Sequence, residues 1–190
     1  MKTLLTAFLT MVLSLSCYAE EYWLAFPNQI YGTYKGYYIE LFGPDQEVIV
    51  SNSNRNFYDT LYLNNNVVCT YRVPDLIAKT TLGTAISDHG IKIKTEYPTQ
   101  VTMINYDYLR GGMTIVREFK QLGDEYMALS KIGNNPDIIS ILAIRDCKVT
   151  VSPSVNTNYA TQPFTQILTK GKVITLTSHT QNKNGLSGTT

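Results

Sequence analysis

Residues Glu21 to Ser51 are echoed, in degraded form, by residues Glu125 to Ser152. Glu21-Tyr22-Trp23-Leu24-Ala25 is matched by Glu125-Tyr126-Met127-Ala128-Leu129. Leu41 to Ser51, which includes Asp45-Gln46-Glu47-Val48-Ile49-Val50, is matched by Leu142 to Ser152, which includes Asp146-Cys147-Lys148-Val149-Thr150-Val151. Further on, Thr60 to Leu63 with Val68 to Tyr71 corresponds to Thr165 to Leu168 with Val173 to Leu176, after a register slip in the intervening loop. A period this long exceeds the roughly 20–50 residues of a solenoid repeat and suits two tandem β domains. The first copy closes with Gly90 to Lys94 and Val101 to Ile104, whereas the second stops at Gly188-Thr189-Thr190, so a truncated second copy is expected.

The local pattern fits strands. Short runs rich in Val, Ile, Tyr and Thr alternate with period two and are separated by Gly, Pro, Asn and Asp. Val48 and Val50 share a face, as do Leu61 and Leu63, and Ile91 and Ile93 alternate with Lys92 and Lys94. Pro44-Asp45 and Arg145-Asp146 read as the same turn in the two copies, with Asp bonding its own following backbone. Asn64 to Asn66 and Lys170-Gly171 read as tight hairpin connections, and Arg110-Gly111-Gly112 as the centre of a turn spanning Tyr106 to Thr114. Pro74 to Leu82 offers at most one helical turn. The expected fold is all-β, with two tandem related immunoglobulin-like β-sandwiches of about seven strands each. The expected boundaries are a signal peptide at 1–19, a first sandwich at 20–107, a hairpin or linker at 108–124, and an incomplete second sandwich at 125–190.

Met1 to Ala19 carries Lys2, an apolar run from Leu4 to Leu15 and a Cys17-Tyr18-Ala19 end, the plan of a secretory signal. The apolar run is shorter than the roughly 20 residues a membrane span needs. Cys17 as a lipid acceptor is the weaker reading, because Ser14 stands where such sites usually carry Leu. Export leaves Cys69 and Cys147 in an oxidising compartment, where they form a candidate disulfide. Two alternatives stand beside it: Cys69 as a buried core thiol, and Cys147 paired with a cysteine past residue 190.

A formal net charge of +1 provides no field for nucleic acid or an anionic membrane. Of the two histidines, His89 follows Ser87-Asp88, but adjacent residues of an extended chain diverge, so this reads as a turn rather than a catalytic triad. No spacing suits zinc or calcium, no cofactor motif appears, and no catalytic residue is assigned. Glu20-Glu21 reads as a solvated start. Among the fourteen tyrosines, Tyr31, Tyr34, Tyr37 and Tyr38 crowd a segment with Gly and Thr that has no Tyr in its second-copy counterpart, Lys131 to Pro136. Rigid amphipathic rings in a loop suit recognition, which makes Tyr31, Tyr34 and Tyr37 the candidate binding residues. There is no Asn-x-Ser/Thr sequon.

With Glu21 to Phe26, the Val48-x-Val50 strand, Val101 to Tyr106, the Leu122-Gly123-Asp124-Glu125-Tyr126 phrase and Leu186-Ser187-Gly188-Thr189 in view, the chain resembles the N-terminal domain family of IgGFc-binding proteins. The likeness spans nearly all of the chain after the signal and rests on strand and turn residues. Where that family commonly carries a Pro ahead of the Leu-Gly phrase, Glu118 stands here. The resemblance implies an extracellular, non-enzymatic module and does not imply immunoglobulin binding; the expected function is adhesion or interaction with an extracellular protein or glycoprotein, mucin-like or immunoglobulin-like. A structural spacer in a larger extracellular protein is the alternative.

Overall fold

Alternating Val, Ile and Tyr residues build extended chain throughout the computed structural model, which describes residues 19–27, 35–65, 67–80, 86–107, 110–129, 137–179 and 185–190. Residues 1–18 of the expected signal peptide, Tyr31 and Tyr34 lie outside these residues. The protein is all-β, and every strand pairing among the described residues is antiparallel. The strands are β1 (Glu20–Leu24), β2 (Lys35–Phe42), β3 (Gln46–Asn52), β4 (Phe57–Leu63), β5 (Cys69–Arg72), β6 (Ile86–Ser87), β7 (Ile91–Thr95), β8 (Gln100–Asp107), β9 (Arg110–Val116), β10 (Ile138–Leu142), β11 (Cys147–Val151), β12 (Phe164–Leu168) and β13 (Val173–Thr177). A single helical turn, α1 (Asp75–Ala78), follows Pro74, which has no N–H for a strand ladder and presets the turn.

Two four-stranded sheets, ordered β1-β7-β3-β4 and β5-β2-β8-β9, supply the larger core. Tyr22, Leu24, Val48, Val50, Ile91 and Ile93 from the first meet Tyr37, Ile39, Leu41, Val73 and Val101 from the second. Alternation does this work: along β3 and β7, Val48, Val50, Ile91 and Ile93 turn inward, while Glu47, Ile49, Ser51, Lys92 and Lys94 take the other face. Each fully buried Val or Ile contributes about 1.5–3 kcal/mol through removal from water. A smaller core gathers Ala143, Val151, Leu168, Ile174 and Leu176, with Ile141, Cys147 and Val149 packed against it. It lies under the β10-β13-β6 and β11-β12 sheets.

The pairing corrects several local expectations. The connections from β4 to β5 and from β12 to β13, expected to be hairpins at Asn64 to Asn66 and Lys170-Gly171, do not join paired strands. β4 pairs β3 while β5 pairs β2, and β12 pairs β11 while β13 pairs β10. Each turn therefore crosses between sheets, a distinction that turn residues alone do not encode. The Asp residues of the preceding turns stabilise these crossings across the fold rather than capping their own following backbone. Asp45 accepts from the Asn65 amide at 2.5 Å, and Asp146 accepts from the Lys170 amide at 2.7 Å. Arg110 to Gly112 lie inside β9, which pairs with β8 along its length, so residues 110–116 belong to the first pair of sheets.

One register also shifts. Leu41 pairs with Cys69 over the larger core, and Ile141 pairs with Ile174 over the smaller one. Ile141, not Leu142, thus stands where Leu41 does, because the second connection is one residue longer and a one-residue slip exchanges the faces of a strand. Leu142 turns instead toward Gly90.

Candidate functional site

The smaller sheets meet the larger ones at the turn between β12 and β13. β13 pairs with β6 through Val173↔Ser87 and Ile174↔Ile86, and the Gly90 amide donates to the Gly171 carbonyl at 3.1 Å. Lys172 pairs with Asp88 at 2.5 Å. Trp23 lies under two cations, with Lys170 Nζ 5.1 Å and Lys92 Nζ 5.9 Å from its ring. Its indole N–H donates to Glu21 at 2.6 Å, and Glu21 also pairs with Lys92 at 2.7 Å. Burial alone would raise the Glu21 carboxyl, but the hydrogen bonds from Lys92 and Trp23 outweigh it and hold the group below its ordinary value. The Glu20-Glu21 pair is thus not a solvated start.

Glu20 is buried and belongs to the floor of a cleft of about 430 Å³. Its Oε2 accepts from the Thr99 amide at 3.1 Å and lies 2.5 Å from the Tyr22 hydroxyl, which lies equally close to the Thr99 carbonyl. The single phenolic proton serves one acceptor at a time. Burial, then the neighbouring Glu20 carboxylate, pushes the Tyr22 hydroxyl well above its ordinary range, so it remains a donor at any physiological pH. Glu118 pairs with Lys120 at 2.7 Å and forms a β-bridge to Tyr22, which brings this linker residue into the cleft lining.

Gln46 lies behind the cleft lining and braces it. Its Oε1 accepts from the Glu96 and Tyr97 amides, both at 2.9 Å, and its Nε2 donates to Thr99 Oγ1 at 2.9 Å, fixing the turn that carries Pro98 and Thr99. Exposed Phe42 and Pro44 form an apolar rim, with Asn65 and Gln100 adding amides. The arrangement offers an aromatic face beside hydrogen-bonding groups, the chemistry that holds a hydroxyl-bearing ring or a peptide. In the sequence echo, Cys147 stands against Gln46, and Ile144-Arg145 against Gly43-Pro44.

Of the expected binding residues, Tyr31 and Tyr34 lie outside the described residues. Tyr37 is fully buried, with its ring edge-on to Phe26 at 5.2 Å, so it serves the core and offers no face to a partner. Burial pushes its hydroxyl up to about 12. Cys69 and Cys147 are both free thiols, the first against the larger core and the second against the smaller. Burial raises the Cys69 thiol, which disfavours the reactive thiolate. Ser87 Oγ and His89 Nδ1 are buried without a hydrogen-bond partner among the described residues, while Asp88 faces Lys172. Among the described residues there is no cluster of metal-ligating side chains and no helix long and apolar enough to cross a membrane.

Compared with known proteins, the chain matches no family model, no curated protein and no solved structure.

Proposed function

We propose that this is a secreted, non-enzymatic interaction module built from two tandem related β-sandwiches, which binds a glycoprotein through the cleft beside Tyr22. The duplication is supported by pairing. β2-β3-β4-β5 and β10-β11-β12-β13 share one connectivity, with the inner hairpin in one sheet and the outer strands paired in another. Gln46↔Leu63 and Cys147↔Leu168 occupy the same rung of that plan. The resemblance to the N-terminal domains of IgGFc-binding proteins is consistent with this arrangement and supplies the extracellular, adhesive reading.

The observation that carries the binding role is the cleft itself. A sugar ring stacked on Phe42 would place its hydroxyls within the reach of Glu118, Gln100 and Asn65, and aromatic contacts of this type dominate recognition energy. Immobilised mucin and Fc fragment, presented in parallel to the folded protein, are expected to give saturable binding to the mucin. Phe42→Ala and Glu118→Gln should each weaken it roughly tenfold, about 1.4 kcal/mol, with an unchanged melting temperature. Silence on both ligands would leave the spacer reading, and mucin binding indifferent to both substitutions would move the site elsewhere.

A further inference from the structure

The cleft beside Tyr22 carries charge of one sign. Glu20 and Glu118 both line it, and its lining includes no Lys, Arg or His. The two carboxylates are held differently. Glu118 pairs with Lys120 at 2.7 Å, but that ammonium is 67% exposed, so water and salt screen the pair. Glu20 is only 7% exposed, and its hydrogen-bond donors, the Thr99 amide and the Tyr22 hydroxyl, are both neutral. Among the described residues no cation forms an ion pair with it.

A carboxylate withdrawn from water is stabilised by hydrogen bonds and by a counter-charge together, and neutral donors supply only the first. A cation entering the open cleft supplies the second. The rim suits whatever carries it: exposed Phe42, Pro44 and Pro98 give an apolar bed for a ring or a methylene stem, and the Phe42 face itself attracts a cation.

We infer that the cleft selects a basic ligand, a protonated primary amine that meets the Glu20 and Glu118 carboxylates while its sugar ring or methylene stem lies against Phe42. Sugars bearing carboxylate or sulfate are rejected, because their charge would meet two carboxylates of like sign in a partly desolvated site. The inference rests on the binding role proposed above for this cleft and adds the charge of what enters it. An unacetylated amino sugar and a lysine side chain share this chemistry.

Amide-resolved NMR titration of the folded protein tests it with glucosamine, N-acetylglucosamine, Nα-acetyl-lysine methylamide and the Nε-acetylated form of that lysine derivative. The two amines are expected to shift the Thr99 amide and to bind roughly tenfold more tightly than their neutral counterparts. Either order between the amines supports the inference, with glucosamine ahead placing the amine on the sugar and the lysine derivative ahead placing it on polypeptide. Glu20→Gln should remove the preference for amines, and Glu118→Gln, the test where the first variant does not fold, should reduce it by about threefold. Equal or tighter binding of the acetylated probes or of glucuronate overturns the inference and leaves the cleft as a binding site. That equality is also the result if an α-ammonium freed at Glu20 by cleavage after Ala19 neutralises the carboxylate. A preference unchanged in both variants overturns it as well. So does silence with every probe, and the binding role of the cleft falls with it only where mucin binding is also indifferent to Phe42→Ala.

Discussion

Adding a methyl group at Gly90 is expected to drive the β12–β13 turn off the larger sheets. A Cβ there would lie 2.5 Å from the Gly171 carbonyl oxygen and 2.6 Å from Leu142 Cδ1. The carbonyl belongs to a held backbone, since the Gly171 amide donates to Ala143 at 2.7 Å and Gly171 itself has a φ of 82° that suits glycine. A side-chain tip could swing aside, but this turn cannot. Overpacking of this type costs about 1–3 kcal/mol. Trp23 is the single tryptophan and lies under Lys170 of that turn, so its fluorescence reports the separation directly. Gly90→Ala should shift the emission to longer wavelength and lower the denaturation midpoint. Unchanged emission would mean that the turn does not rest on Trp23.

Acidification should produce the second large effect, through His89. Burial, then the Arg55 guanidinium, lowers this imidazole to about 4, and Asp88 only partly opposes them. The unfolded chain binds the proton near the ordinary 6.5, so between about 6.5 and 4 the unfolded state holds more protons than the folded one. Stability is therefore full above that window and falls as pH is lowered through it, by about 3 kcal/mol in all. His89→Gln should flatten this part of the stability profile measured by urea denaturation. A profile as steep as that of the natural sequence would assign the acid sensitivity to other groups. Because Ser87 to Gly90 carry the contacts with Gly171 and Lys172, the Trp23 signal should report acid loosening there before global unfolding.

The strands were legible because period-two alternation is a local signal. Val48, Val50 and Val151 all point inward as their spacing indicates. Connectivity was not legible, since Asn64 to Asn66 would look the same in a hairpin as in a crossing between sheets. The cleft was missed for a related reason. Glu20 joins the cleft lining only when Thr99, far along the chain, brings its amide within reach, and Gln46 braces the turn that carries Pro98 and Thr99 only through the amides of Glu96 and Tyr97. The contrast between Gln46 and Cys147 at equivalent places was the available signal. Tyrosine crowding, in turn, mixed two roles, because Tyr37 lies on the inward face of β2 and completes the core.

The proposal of one strand plan used twice, with β10 and β11 each paired on one side only among the described residues, is tested most directly by hydrogen exchange on the free protein. The amides of β2 and β3, enclosed on both sides by paired strands, should exchange only through global unfolding. The alternate amides of β10 that point away from β13, and those of β11 that point away from β12, should exchange orders of magnitude faster. Slow exchange on both sides of β10 and β11 would contradict the account.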